Sequence, residues 1–237
     1  IDSEEKKHSP YDFVLWKFQK PGEPAWDSPW GKGRPGWHIE CSAMAAKYLG
    51  ETIDIHGGGQ DLIFPHHEDE IAQSEAANEK PFARFWMHNG FVNINGEKMS
   101  KSLNNFFTLR DIFQKYDSLV VRYFFLSTHY RAPINFTFEA LSGVKNSLER
   151  VQQAYFELVD AKKFGTQKID CAKYKTLLED ALDDDLNISV GLAILFEFVN
   201  EIYKHKDVLS KAGVEEALAF FKEVDSIFGV LKYEREE

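Results

Sequence analysis

The sequence predicts an α/β unit followed by an all-α helical bundle, and three observations carry that prediction. Up to about residue 136, short strand-like stretches such as Ile53-Asp54-Ile55-His56 and Phe91-Val92-Asn93-Ile94-Asn95 are interleaved with segments of helix length. Beyond it, apolar residues recur at helical spacing in four successive stretches. At 237 residues the chain is long enough for two compact units, each with its own core.

Taken in order, Phe13-Val14-Leu15-Trp16-Lys17 reads as a short strand or helix, Pro21-Gly22-Glu23-Pro24 as a turn, and Gly31 to Gly36 as a flexible basic connection. A helix runs from Trp37 through Tyr48 and is ended by Gly50. Ile53 to His56 is a short buried strand, closed by Gly57-Gly58-Gly59. Asp61 to Ala77 reads as a helix in which Pro65 occupies the first turns or breaks it. After the Phe91–Asn95 strand comes a polar loop to Asn105, then Thr108 as the cap of a helix through Ile112 and Phe113. Asp117 to Leu126 is a helix, and Thr128 to Phe136 a connection containing Pro133. Four further helices follow at Phe138–Ala161, Cys171–Leu182, Ser189–His205 and Glu215–Phe228, separated by Gly165, by Asp183-Asp184-Asp185-Leu186-Asn187 and by Gly213.

The 28 basic side chains are outnumbered by 38 acidic ones, for a net charge of −10. That excludes a uniformly basic nucleic-acid surface but leaves room for a local basic patch. No run of eighteen apolar residues and no secretory pattern is present, so the expectation is a cytoplasmic chain without a membrane span. Cys41 and Cys171 are too few for a disulfide framework. The start at Ile1, in a polar segment, reads as that of a fragment.

Two constellations carry chemistry. In the first, Lys98 and Lys101 stand three apart with Ser100 and Ser102 between and beside them; two ammonium groups, hydroxyls and backbone N–H groups suit polyphosphate oxygens. A solvated Lys/Ser loop is the plainer alternative. In the second, His66 and Glu70 are four apart, one turn on a helix face, with Cys41 arriving from the preceding helix; S, N and O donors together suit Zn²⁺. From spacing alone, a solvated polar face and a small buried thiol explain the same residues. Gly57, Gly58 and Gly59 allow a ligand close approach to the backbone. Asp61 either accepts from a ribose or a substrate amine or caps the following helix. Trp37 is core or pocket wall.

Lys98-Met99-Ser100-Lys101-Ser102 is letter for letter the KMSKS signature of class I aminoacyl-tRNA synthetases. Together with Pro35-Gly36-Trp37-His38-Ile39-Glu40-Cys41-Ser42-Ala43-Met44, Ile55-His56-Gly57-Gly58-Gly59-Gln60-Asp61-Leu62, Phe64-Pro65-His66-His67-Glu68, Tyr123 to Arg131 and the Asp183–Asn187 corner, it resembles the cysteinyl-tRNA synthetase family over nearly the whole chain. The resemblance implies the end of a connective insertion at 1–35, the second half of a Rossmann-type nucleotide-binding domain at 36–90, a KMSKS loop and stem-contact region at 91–136, and a bundle on the anticodon-stem side of tRNA at 137–237. It implies Cys41, His66 and Glu70 as three of four zinc ligands, with one zinc per complete subunit. The fourth ligand and the HIGH motif have no match here, so the missing amino-terminal half of the same protein is an expected partner and the isolated chain is expected to be inactive.

The family's reaction is activation of L-cysteine by ATP, with Mg²⁺, and transfer to tRNA(Cys). It implies Lys98 and Lys101 as the catalytic pair, and Ser100, Ser102, His56, Gly57, Gly58, Gly59 and Asp61 beside them in the ATP site. Trp37 and His38 would line the amino-acid pocket, while His88 and His129 are expected to be structural and the subunit a monomer. Two alternatives share these motifs: a ligase joining activated cysteine to an amino sugar in mycothiol synthesis, and a noncatalytic tRNA-binding fragment. The long helical half and the Asp183–Asn187 corner favour the tRNA-charging branch.

Overall fold

In the computed structural model, residues 7–99 and 106–235 are described, and the chain divides into two units, Ile1–Asn89 and Gly90–Glu237. In the first, strand β1 (Trp16–Phe18) pairs antiparallel with β2 (Gly33–Pro35). The basic connection expected to be flexible therefore contains a strand. It is held by reciprocal bonds between Trp26 and Gly33, at 2.7 and 3.0 Å, and by Gly36 N–H donating to the Leu15 carbonyl at 2.8 Å. A three-residue strand is too short to announce itself by alternation.

Helix α1 (Trp37–Leu49) ends at Gly50, as the sequence predicts. Strand β3 (Ile53–Gly59) then runs parallel to β4 (Ala83–Asn89), in register from Ile53↔Ala83 to Gly59↔Asn89. The three glycines thus belong to the ladder itself. The connection between these parallel strands is a short turn (Gln60–Leu62), a kinked segment (Ile63–His67) and helix α2 (Glu68–Asn78). Of the two outcomes expected at Pro65 the helix read from Asp61 takes the break: Phe64, with φ −134° and ψ 132°, is extended, as a residue before proline is pushed out of the α region. The strand is also less buried than expected. Ile53 is buried, but Ile55 is 61% exposed.

The interior of this unit is polar. Ser42, His66, His67, Asp69, Glu70, Gln73 and Ser74 are buried, and among the described residues Ile53 and Phe82 are its buried hydrophobics. Ser42 Oγ donates to Gln73 Oε1 at 2.8 Å, joining α1 to α2 through a hydrogen bond where a soluble domain more often uses aliphatic contact.

The second unit opens with a hairpin. Strand β5 (Val92–Ile94) turns through Asn95 and Gly96, both at positive φ, into β6 (Glu97–Lys98). Asn-Gly favours this because both residues tolerate the left-handed region. Strand β7 (Ile134–Phe136) pairs parallel with β5, so the stretch expected to be a plain connection ends in a strand. Between them, α3 (Leu109–Phe113) starts with a reciprocal capping box: Thr108 Oγ1 accepts from Asp111 N–H and Asp111 Oδ2 accepts from Thr108 N–H. Helix α4 (Ser118–Leu126) is capped by Asp117.

The bundle consists of α5 (Phe138–Val159), α6 (Cys171–Asp183), α7 (Ile188–His205) and α8 (Lys211–Phe228), capped in turn by Thr137, Asp170, Asn187 and Ser210. Ser210 sets the start of α8 earlier than the spacing suggested, placing Gly213 inside its first turn. Phe198 of α7 packs against Phe220 and Phe221 of α8 at 4.6 and 5.4 Å between ring centroids, in a core that includes Leu141, Val151 and Leu158. At the α6–α7 corner, Asp185 and Leu186 both hold positive φ. Tyr130 Oη donates to Asp185 Oδ1 at 2.7 Å, Arg131 pairs with Oδ2 at 2.6 Å, and His129 Nε2 lies 3.0 Å from the Asp185 carbonyl oxygen. No helix among the described residues is long and apolar enough to cross a membrane.

Candidate functional site

A histidine-rich cluster occupies the polar interior of the first unit, and its members come from several elements. Helix α1 contributes His38 and Cys41, one turn apart on one face. The kinked segment supplies His66 and His67, α2 supplies Asp69 and Glu70, β3 supplies His56, and β4 supplies Trp86 and His88. Because Pro65 ends the preceding extension, His66 sits one turn before Glu70 and shares its face.

Glu70 is the hub. Its side chain is 1% exposed; Oε1 lies 2.6 Å from His66 Nε2 and Oε2 lies 2.9 Å from His56 Nε2. Ligand atoms of Cys41, His66 and Glu70 fall within 4.8 Å of one another, as do those of His56, His67 and Glu70. Burial pushes the Glu70 carboxyl up to about 7. Burial, with the Glu70 and Glu40 charges, raises the Cys41 thiol. Burial also holds His56 and His66 below the ordinary imidazole range, and His67 down to about 4, the last with help from the neighbouring rings. Neutral imidazoles keep a lone pair on one nitrogen, which is the form that binds a metal.

The donor set fits a zinc ion. Glu70 Oε2 and His56 Nε2 are buried and close, yet neither makes an aligned hydrogen bond. Buried polar atoms left in that state are costly, and a cation beside a buried carboxylate relieves the cost. Sulfur, nitrogen and oxygen donors in one cluster match the preferences of Zn²⁺. Cys41, His66 and Glu70, read from the sequence as ligands, are brought together with no fourth ligand assigned.

Trp37 and His38 lie at the same place. The Trp37 ring is 62% exposed, 4.6 Å from the His66 ring and stacked on His38 at 5.6 Å. It covers the outer side of the cluster. Gly58 explains itself by contact: a Cβ there would stand 2.8 Å from His67 Cε1, so only glycine lets the His67 ring lie against the strand. Gly57 and Gly59 continue the ladder, and Asp61 is exposed in the following turn, with no side-chain cap bond at the turn's start. His56, expected near adenosine, faces Glu70, with the rings of His67, Phe82 and Trp86 around it.

His67, His88 and Asp69 belong to the same cluster, although the spacing did not single them out. His67 Nδ1 lies 2.7 Å from His88 Nε2. Consecutive residues of a helix face different directions, so His67 and Asp69 could not be read from the His66–Glu70 stripe, and a lone histidine on a strand carries no spacing signal at all.

In the second unit, Lys98 lies on β6, its Nζ 4.6 Å from the centroid of the Phe91 ring. The expected phosphate loop therefore begins as a hairpin strand. Ser100, Lys101 and Ser102 lie outside the described residues.

Residues 1–146 match the model of the tRNA synthetase class I (C) catalytic domain, and residues 178–232 match the DALR domain. The chain is 53% identical over 240 residues to a cysteine–tRNA ligase of Caldicellulosiruptor saccharolyticus, covering 98% of this chain and 52% of that one. It is 50% identical over 244 residues to a cysteine–tRNA ligase of Bacillus cereus, covering 99% and 52%. The chain spans about half the length of the curated relatives it matches. Among solved structures, it is similar in fold to the LeuRS of a ternary complex with tRNA and LeuAMS from Agrobacterium radiobacter K84, with TM-score 0.65 at 15% identity over 86% of this chain and 32% of that one. A putative arginyl-tRNA synthetase from Campylobacter jejuni gives TM-score 0.56 at 13% identity, covering 93% and 59%. With the catalytic-domain match extending over more than half its residues, the chain belongs to the class I (C) tRNA synthetase family, the family of the cysteine–tRNA ligases.

Proposed function

We propose that this chain forms part of a cysteine–tRNA ligase, an enzyme that activates L-cysteine with ATP and transfers it to tRNA(Cys). The observation that carries the reading is the Cys41–His66–Glu70 cluster, with His66 and Glu70 buried and Cys41 half-buried, whose donors suit a thiophilic metal. Cysteine carboxylate attacks the α-phosphate of Mg²⁺-bound ATP, giving cysteinyl adenylate and pyrophosphate; a ribose hydroxyl of tRNA then takes the acyl group. Lys98 and Lys101, with Ser100 and Ser102, hold the departing phosphates. Gly57, Gly58, Gly59, Asp61 and His56 are assigned to the nucleotide side of the site, and Trp37 with His38 to the amino-acid side. Cys41, His66 and Glu70 hold zinc, which when bound supplies a position that favours the thiolate of cysteine over the hydroxyl of serine. The four-segment organisation of the chain, a cytoplasmic location and a monomeric subunit complete the proposal. The names of the relatives support tRNA over an amino sugar as the acceptor.

The test is ATP–pyrophosphate exchange by the full-length protein, with serine as control and zinc content measured alongside. Exchange with cysteine alone is expected; exchange with neither amino acid overturns the reading. In the same assay Lys101→Ala is expected to lower the exchange rate by orders of magnitude with little change in cysteine binding, because its contact strengthens as pyrophosphate leaves. An unchanged rate removes Lys101 from catalysis.

A further inference from the structure

We propose that Asp185, at the α6–α7 corner, is a positioning residue for Lys98: it clamps the loop at residues 129–131, and that loop clamps the backbone that carries Lys98 and the ring beneath it. The inference rests on the phosphate-holding role proposed for Lys98. The first link is a grip on one side chain. Tyr130 Oη donates to Asp185 Oδ1 at 2.7 Å, and the Arg131 guanidinium spans the same carboxylate, Nε to Oδ2 at 2.6 Å and Nη2 to Oδ1 at 3.2 Å. Arg131 Nε also donates to Tyr130 Oη at 3.0 Å, and His129 stacks on Tyr130 with its Nε2 3.0 Å from the Asp185 carbonyl oxygen. A single exposed ion pair holds little, but a two-point guanidinium contact inside a network fixes orientation.

The corner gives this carboxylate a fixed base. Asp185 and Leu186 hold φ of 53° and 55°, a region that leucine rarely adopts. Leu186 gains no burial from it, being 50% exposed. The Leu186 and Asn187 N–H groups donate to the Leu182 and Ala181 carbonyls, each at 3.0 Å, so the turn closes α6 while Asn187 caps α7. Backbone in a sparsely populated conformation persists where the surrounding contacts over-determine it, and here the side-chain contacts converge on Asp185.

The second link runs from the loop to the hairpin. Gly90 N–H donates to the Tyr130 carbonyl at 2.7 Å and Ile134 N–H to the Phe91 carbonyl at 2.9 Å, so Gly90 and Phe91 are bonded to both ends of the segment that Asp185 holds. The approach is close: a Cβ on Gly90 would stand 2.4 Å from the Ala132 carbonyl carbon and oxygen, which leaves room for glycine alone. Further along, β7 runs beside β5, and Gly96 N–H donates to Asn135 Oδ1 at 2.7 Å, pinning the turn into β6. The Phe91 ring is the surface against which Lys98 Nζ rests, 4.6 Å from its centroid. Asp185 acts only through these contacts. Releasing the loop loosens the seat of Phe91 and the turn together, and an ammonium displaced by an ångström loses much of its hold on a phosphate where charge is developing.

The test uses the full-length protein and measures kcat and KM for cysteine-dependent ATP–pyrophosphate exchange, zinc content and amide hydrogen exchange. Asp185→Ala removes every side-chain contact, while Asp185→Asn removes the charge and keeps a residue that tolerates positive φ. Asp185→Ala is expected to lower kcat by about 10 to 100-fold, the cost of an ångström-scale misplacement, with KM for cysteine and zinc content near wild type. Asp185→Asn is expected to lower it less, since Tyr130 keeps an acceptor, and it replaces Asp185→Ala in every arm should that variant not fold. In a Lys98→Ala background the Asp185 substitution is expected to add less than about twofold, because both act through one group. Amides of residues 90–98 are expected to exchange about tenfold faster in Asp185→Ala, with those of α5 and α8 at wild-type rates. Wild-type kcat in the Asp185 variant, or an equal loss with and without Lys98, overturns the proposal while leaving the phosphate role of Lys98 intact. An unchanged rate in Lys98→Ala alone overturns that role instead; hydrogen exchange then decides the clamp, which is refuted by wild-type rates at residues 90–98.

Discussion

Glu70 carries more of the first unit's chemistry than any other side chain, because a fully buried carboxylate is tolerable only where opposite charge or hydrogen-bond donors surround it. Its neighbours are imidazoles held neutral by burial, which supply lone pairs rather than charge. A ligand set of this kind discriminates by softness, so the thiolate is the least replaceable member. Cys41→Ser in the full-length protein is expected to weaken zinc binding by more than about 100-fold, beyond the range of an outer-shell loss, and to erode selection of cysteine over serine. Metal analysis after dialysis against a chelator checks this, and full occupancy would refute the ligand assignment. At this scale the sequence was informative where chemistry and periodicity coincided, as at His66 and Glu70. Asp69, His67 and His88 were silent because their grouping depends on the kink at Phe64 and on the β3–β4 register, both of which are tertiary facts.

Elements were legible when they were long or capped. The bundle helices run 13 to 22 residues, so their apolar stripes repeat several times, and their caps are the residue types that satisfy free N–H groups. Strands β2, β6 and β7 are two or three residues long, shorter than one full alternation, and were not distinguishable from loops. Asp117 shows what a cap does beyond starting a helix. Its carboxylate accepts from Leu119 N–H at 2.8 Å and meets Lys232 Nζ at 2.7 Å, tying the start of α4 to the segment after α8. The Lys232 bond first, and then the Leu119 N–H, hold its pKa below the ordinary aspartate value. A carboxylate with a depressed folded-state pKa contributes stability that is fully present above its unfolded pKa, about 3.9, and is lost as pH falls through the folded value. Asp117→Asn keeps a capping oxygen but removes the charge. The variant is therefore expected to be less stable at neutral pH by at most about 1 kcal/mol, as for a partly exposed ion pair, with the difference vanishing below the folded pKa. Urea denaturation at pH 7 and pH 3 measures it; an equal difference at both values would remove the charge from the account.

The two units hold themselves together by different physics. The second has a contiguous core in which Leu141, Val151, Phe198, Val199, Ile202, Phe221 and Phe228 are almost wholly excluded from solvent. Phe198→Ala is accordingly expected to destabilise it by about 3–5 kcal/mol, the usual loss for a large aromatic in a close-packed interior. The first unit buries imidazoles, carboxylates and amides around its pocket, and its side chains do not supply an apolar surface of comparable size. Area burial contributes little there, so a ligand that binds the folded form should contribute a large share, by about 2.7 kcal/mol at a hundredfold excess over Kd. Hydrogen exchange on the full-length protein distinguishes the two. Removing zinc is expected to accelerate exchange across α1 and α2 and to leave α5 to α8 at their metal-loaded rates. Phe198→Ala is expected to do the reverse, accelerating α5 to α8 and sparing α1 and α2. Unchanged exchange across α1 and α2 on chelation would mean that the polar interior is not held by metal.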